Sequence, residues 1–308
     1  MIDGREGATM GEPRVLRALG YCLALVVMGL WISTCAQPQP KKPDVEYVPT
    51  PHHVVVEMLQ LVEVKPTDVV YDLGCGDGRV VITAAKQYGA RGVGVDIDPQ
   101  RIQESRAHAH QADVVDRVEF LQQDLFETDI REATVVALYL LPQLNRQLRP
   151  KLLSDLRPGT RIVSHDFEMG DWHPDKVIYV PGSTYEHIVF YWVIPANIDG
   201  GWRMRVPAPA GERRYLVRIQ QRYQEIRGTV STAGGASLIT NASLTGDHLR
   251  FTVITGLQGE KVRMSFDGRV SGDVIRGSVD VQDGAMAGRY DWTALRDAAS
   301  TDSAPQRP

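Results

Sequence analysis

Between Tyr47 and about Asp175, short uninterrupted apolar runs alternate with longer mixed segments. Runs such as Val69-Val70-Tyr71 and Thr134-Val135-Val136-Ala137-Leu138 suit strands covered on both faces. The pattern predicts strands at Val69–Leu73, Gly92–Val95, Val118–Leu121, Thr134–Leu138 and Arg161–Ser164, with helices beginning near Arg79, Pro99 and Gln143. Strands separated by helices are the sequence form of a parallel sheet with crossover helices. After Asp175 the rhythm changes: Lys176–Val180 and Glu186–Ile194 flank Pro181-Gly182-Ser183-Thr184, a hairpin that closes the far edge of the sheet with an antiparallel pair. From Gly201 onward only short strands with turn residues remain: Arg214–Gln220, Glu225–Thr232, Ser237–Leu244, His248–Ile254, Lys261–Phe266, Val274–Val281 and Ala287–Trp292. That spacing predicts a small antiparallel barrel or sandwich. The expected fold class is therefore α/β, a Rossmann-like doubly wound sheet ending in an antiparallel hairpin and followed by a small all-β domain. Expected boundaries are 47–199 for the first domain, 200–296 for the second and 297–308 for a polar, disordered tail.

Residues 1–46 break this pattern. Arg14 and Arg17 precede an apolar run from Ala18 to Ile32, and Gln37-Pro38-Gln39-Pro40-Lys41-Lys42-Pro43 follows as a linker. Fifteen residues is short of the ~20 that span a bilayer and suits a signal-peptide core. Ile32-Ser33-Thr34-Cys35 is similar to a bacterial lipobox, which would leave Cys35 lipidated; a cleaved signal peptide and an uncleaved anchor are the other readings. Membrane association or export to a bacterial envelope is expected, and Lys41-Lys42 lies too close to the run for the charges to fix the side.

Length and charge narrow the choices further. At 308 residues, with 43% hydrophobic and 23% charged positions, the chain has material for two globular domains. A net charge of -4 with no dense Lys/Arg run gives no footprint for a polyanion, so nucleic acid is not an expected partner. Cys22, Cys35 and Cys75 suggest no disulfide framework.

The chemistry concentrates at Asp72-Leu73-Gly74-Cys75-Gly76-Asp77-Gly78-Arg79, where a buried strand runs through three alternating glycines into a helix. Such glycines let the chain turn sharply and let a ligand approach the backbone. Their spacing is G-x-G-x-G, whereas a pyrophosphate-binding loop has G-x-G-x-x-G. Asp96 ends the next strand, 18 residues after Gly78, where a carboxylate can accept from both hydroxyls of a ribose. Asp98 before Pro99 reads as a helix N-cap. Asp124 follows the third strand, placed to accept from an adenine amino group or to cap a turn.

Asp72 to Gly78 resembles motif I of the class I S-adenosylmethionine-dependent methyltransferases, and Asp96 and Asp124 match later acidic positions of that superfamily. The resemblance implies S-adenosyl-L-methionine as cofactor, with Gly74, Cys75, Gly76 and Gly78 around its methionine moiety. It places Asp72 at the amino end, Asp96 at the ribose and Asp124 at the adenine. More narrowly, Tyr47-Val48-Pro49-Thr50-Pro51, Asp77-Gly78-Arg79, Leu138-Tyr139-Leu140-Leu141-Pro142 and Arg161-Ile162-Val163-Ser164-His165 are similar to the protein lysine methyltransferases that modify ATP synthase subunit c and the adenine nucleotide translocase, and to their prokaryotic relatives. That likeness covers about residues 47–175 and implies a lysine side chain of a protein as methyl acceptor. The bacterial look of the N-terminus keeps the mitochondrial targets from being carried across. Tyr47, Tyr139 and His165 are the candidates to line the amine pocket.

No metal centre is expected, because His52-His53 are adjacent and His108 and His110 point to different faces of a helix. Two other readings stand beside methyl transfer: a nicotinamide-dependent oxidoreductase, and a membrane-tethered binding module whose Rossmann domain is not catalytic.

Overall fold

The computed structural model describes residues 45–297, apart from 208–210, 233–234, 258–259 and 283–286. The apolar run Ala18–Ile32, Cys35 and the linker lie outside the described residues, as does the expected tail beyond Asp297. Asp297 itself is tied in, its N–H donating to the Gly201 carbonyl at 2.8 Å. Among the described residues no helix is long and apolar enough to cross a membrane.

The first half is a layered α/β domain: α1 (His52–Leu61), β1 (Val69–Leu73), α2 (Arg79–Tyr88), β2 (Arg91–Asp96), α3 (Pro99–Ala112), β3 (Val118–Gln122), β4 (Val135–Leu138), α4 (Pro142–Asp155), β5 (Arg161–His165), β6 (Lys176–Val180) and β7 (His187–Val193). The strands form one sheet in the order β3-β2-β1-β4-β5-β7-β6. β1 to β5 pair in parallel, and β7 runs antiparallel to both β5 and β6. The single reversed strand is thus inserted inside the edge, and β6 takes the edge in the same direction as the rest.

Period-two alternation splits the apolar residues between two cores. Val70, Val135, Ala137 and Val163 face one side, with Val54, Val55 and Met58 of α1, Val81 and Ala84 of α2 and Ile102 of α3. Tyr71, Leu73, Val136, Leu138 and Ile162 face the other, with Leu148 and Leu152 of α4 and with Trp172 and Trp192. Strands buried on both faces explain why the runs read as continuously apolar.

The second half is a closed eight-stranded antiparallel barrel: β8 (Gly200–Val206), β9 (Arg213–Arg222), β10 (Glu225–Thr232), β11 (Gly235–Thr245), β12 (His248–Leu257), β13 (Glu260–Ser271), β14 (Val274–Gln282) and β15 (Gly288–Arg296). Sequence reading misses β8, although Trp202, Met204 and Val206 point inward with Arg203 and Arg205 exposed between them. β8 is the strand that closes the ring, since it pairs with both β9 and β15. Closure removes the sheet edges and decides barrel over sandwich. The interior is filled by side chains, with the Trp292 ring edge-on to both Phe251 and Phe266.

The two halves interlock at the β9–β10 turn. Tyr223, held at a positive φ of 54°, stacks on Trp172 of the first domain with ring centroids 5.6 Å apart. Gln224 accepts from the Trp172 indole at 2.8 Å and donates to the His173 carbonyl at 2.7 Å, while Arg222 pairs with Asp171.

Candidate active site

A cavity of about 340 Å³ opens at the carboxyl ends of β1, β2 and β4, where open α/β sheets bind ligands. Its floor is the loop from β1 to α2. Gly74, Gly76 and Gly78 all have left-handed backbone, at φ of 89°, 52° and 80°. The N–H groups of Gly74 and Cys75 both donate to the Val95 carbonyl, at 2.8 and 2.9 Å, which binds the loop to β2. A side chain at Gly76 would stand 2.2 Å from the Tyr47 ring, and one at Gly78 2.7 Å from Phe120, so neither position tolerates a Cβ.

Asp72, Asp96 and Asp124 line this cavity together with Gly74 and Cys75, whereas Gly76 and Gly78 lie beneath it in the turn. Asp72 is only 6% exposed, and among the described residues no group donates a hydrogen bond to its carboxyl. Burial, with the neighbouring Asp96 and Asp77 carboxylates adding to it and Arg79 opposing, pushes its pKa up to about 8.

Asp96 accepts from the Gly76 N–H at 2.9 Å through one oxygen and from the Asp98 N–H at 2.9 Å through the other. Each oxygen keeps a second lone pair for a hydroxyl. Asp98 caps α3 by accepting from Gln100 N–H at 2.8 Å, with Pro99 in the first helical position. Asp124 accepts from Phe126 N–H at 3.0 Å, so it closes a turn while presenting its carboxylate to the cavity. Cys75 is buried, and burial pushes its thiol well up, which leaves it a small neutral loop residue.

The roof is the segment 45–51 that leads into α1. Tyr47 lies over the glycine loop, with the Arg101 guanidinium 4.7 Å from its ring centroid. Arg79 grips Asp77 through two nitrogens at 2.9 and 2.6 Å and donates to the Thr50 carbonyl at 2.7 Å. Burial works against the Asp77 charge, but Arg79 holds its pKa below the usual carboxylate range. The Asp77-Gly78-Arg79 segment therefore clamps the roof onto the floor, a role for Arg79 and Arg101 that sequence spacing does not disclose.

On the side wall, Tyr139 lines the cavity with Leu140 and Leu144. Burial and the nearby Tyr185 push its hydroxyl up to about 12. His165 does not reach the cavity: it is fully buried behind Tyr139, with ring centroids 4.0 Å apart, and Thr50 Oγ1 lies 3.1 Å from its Nδ1. The expectation that His165 lines the pocket is thus corrected to one of backing it. Burial lowers its pKa to about 4, so the ring is neutral at ordinary pH. Asp166 and His187, which the sequence gives no reason to single out, sit against it.

The family model for the ANTKMT methyltransferase domain matches residues 72–176. A protein-lysine N-methyltransferase of Saccharolobus islandicus is 48% identical over 153 residues, covering 49% of this chain and 95% of that protein. The adenine nucleotide translocase lysine N-methyltransferase of Mus musculus is 34% identical over 140 residues, covering 45% of this chain and 60% of that protein. A solved structure, described as an RNA methyltransferase from Salinibacter ruber in complex with S-adenosyl-L-homocysteine, is 56% identical with a TM-score of 0.47, covering 49% of this chain and 96% of that one. Neither the oxidoreductase nor the non-catalytic binding module finds support in these likenesses. The chain belongs to the ANTKMT-type family within the class I S-adenosylmethionine-dependent methyltransferases, and S-adenosylmethionine is its cofactor.

Proposed function

We propose that this enzyme methylates the ε-amine of a protein lysine, with Asp72 taking the cofactor's ammonium, Asp96 its ribose hydroxyls and Asp124 its adenine. The buried Asp72 carboxyl, lacking any donor from the described residues, supports the first of these assignments. When bound, the cofactor supplies an already activated methyl group, so the protein has mainly to align a nucleophile. The observation that carries the acceptor reading is the wall of Tyr139, Leu140 and Leu144 beside the acidic end of the cavity. An aromatic and aliphatic wall desolvates an incoming ammonium, which lowers its pKa and frees the lone pair that attacks. Tyr47 and Tyr139 are the residues proposed to flank that amine, with His165 fixing the Tyr139 ring from behind. The 48% identical Saccharolobus islandicus protein, named for lysine methylation, supports the same reading.

The apolar run Ala18–Ile32 supports a working position at a membrane, with an envelope protein as acceptor. Labelled S-adenosylmethionine supplied to the full chain with membrane, soluble and RNA fractions tests this assignment. Peptide mass spectrometry should place the label on lysine side chains of the membrane fraction. Label confined to RNA or to small molecules would overturn the lysine reading and leave methyl transfer standing.

A further inference from the structure

Three donors from two places in the chain converge behind the Tyr139 wall. His165 is the last residue of β5, Asp166 follows it at a left-handed φ of 58°, and His187 opens β7. His165 Nε2 and His187 Nδ1 lie 2.9 Å apart, and Asp166 Oδ2 is 3.3 Å from the first and 3.7 Å from the second. Three atoms so spaced share a point about 2 Å from each, the length of a zinc–nitrogen or zinc–oxygen bond.

Two of the atoms not aimed at that point are engaged elsewhere. Thr50 Oγ1 holds His165 Nδ1 at 3.1 Å, and Asp166 Oδ1 accepts from Ile188 N–H at 2.8 Å. Outer partners of this kind fix the orientation of metal ligands. A dication would bind all three donors at once, where hydrogen bonding joins only the two nitrogens to each other and Asp166 Oδ2 to the Tyr185 hydroxyl. The site is enclosed yet reachable: His165 and His187 are buried, the Asp166 side chain is 16% exposed, and the Tyr185 hydroxyl stands 3.4 Å from Asp166 Oδ2.

We propose that His165, Asp166 and His187 form a binding site for one divalent transition-metal ion, zinc by ligand type, with water or the Tyr185 hydroxyl in the fourth position. The ion would staple β5 to β7 and, through Thr50 and the Tyr139 ring, brace the roof and side wall of the cofactor cavity. The proposal does not depend on which acceptor is methylated.

The test uses the full chain, stripped with chelator and dialysed against Zn²⁺, with bound metal counted by atomic emission. One equivalent should bind at micromolar Zn²⁺ and raise the melting temperature. Asp166→Asn and His187→Gln should lose that equivalent, Thr50→Val should bind roughly tenfold more weakly, and His248→Gln on the barrel should bind as the parent does. Co²⁺ substitution adds a readout independent of the variants' folding: visible bands without thiolate charge transfer fit a His₂Asp site. No stoichiometric binding, binding by Asp166→Asn and His187→Gln equal to that of the parent, or a thiolate band would overturn the assignment.

Discussion

A carboxyl that is buried, has no hydrogen-bond donor among the described residues and has two acidic neighbours holds its proton to about pH 8, and Asp72 is in that position. An unfolded Asp releases its proton near pH 4, so between about pH 4 and 8 the native state binds more protons than the unfolded one. The sign follows: Asp72 costs more and more stability as pH rises through that window, and Asp72→Asn removes the cost. The melting-temperature advantage of Asp72→Asn over the parent, both without cofactor, should therefore grow from pH 5 to pH 8. An ammonium docking on Asp72 favours its ionised form, so cofactor binding by the parent should release a proton at pH 7 and tighten toward pH 8. Calorimetry in buffers of different ionisation enthalpy reads that proton directly, and an equal release in Asp72→Asn would remove Asp72 from the linkage. Asp96→Ala loses two charged acceptors from the ribose, worth about 1.5 to 3 kcal/mol or roughly ten- to a hundredfold in affinity. It also releases the Gly76 N–H, so the variant should bind no better than that range. The acidic residues at this end were legible in the sequence because strand, glycine loop and next strand are consecutive, and spacing alone sets them at one sheet edge. Asp166 and His187 were not, because β7 enters the sheet out of sequence order and brings His187 beside β5.

At the scale of elements, the segment 45–51 is a roof held by Arg79 to the Thr50 carbonyl, Thr50 Oγ1 to His165, the Tyr47 ring on the glycine loop and Arg101 above that ring. Arg79→Ala removes the clamp and leaves Asp77 half-buried without its cation, a loss of about 1.5 to 3 kcal/mol in charged hydrogen bonds. Limited proteolysis should then cut between residues 45 and 51 faster than in the parent, and cofactor should dissociate faster. Unchanged cutting would show that the roof is held by other means. Gly76→Ala should be worse than a typical loop substitution, because the added Cβ meets the Tyr47 ring and the residue needs a φ of 52°. Most strands and helices were legible, since apolar runs and turn residues report local structure. β8 was missed because Gly200-Gly201 at its start and Pro207 after it read as loop, although its Trp-Arg-Met-Arg-Val core alternates as a strand does. The roof itself carried only a motif and no period, so its place over the loop follows from Arg79, 29 residues away from Thr50.

For the whole molecule, among the described residues the barrel contributes no lining residue to the cofactor cavity, whose walls come from residues 45–144. It does cover the first domain, since Tyr223 and Gln224 close over Trp172, which is fully buried. A chain ending at Asp199 should keep cofactor binding while melting lower than the parent, because Trp172 is uncovered. Tyr223→Ala in the full chain should reproduce part of that loss, about 1 to 2 kcal/mol or roughly 3 to 6 °C. An insoluble or cofactor-free truncation beside a normal full chain would show that the barrel is part of the catalytic fold. The most direct measurement of the central claim is transfer itself: the full chain, labelled S-adenosylmethionine and its cellular fractions, with Asp96→Ala and Tyr139→Ala in parallel. The account predicts methylated lysine in the parent, loss of cofactor affinity in Asp96→Ala, and near-normal cofactor affinity with reduced turnover in Tyr139→Ala. Methylated lysine formed at the parent rate by both variants would contradict it.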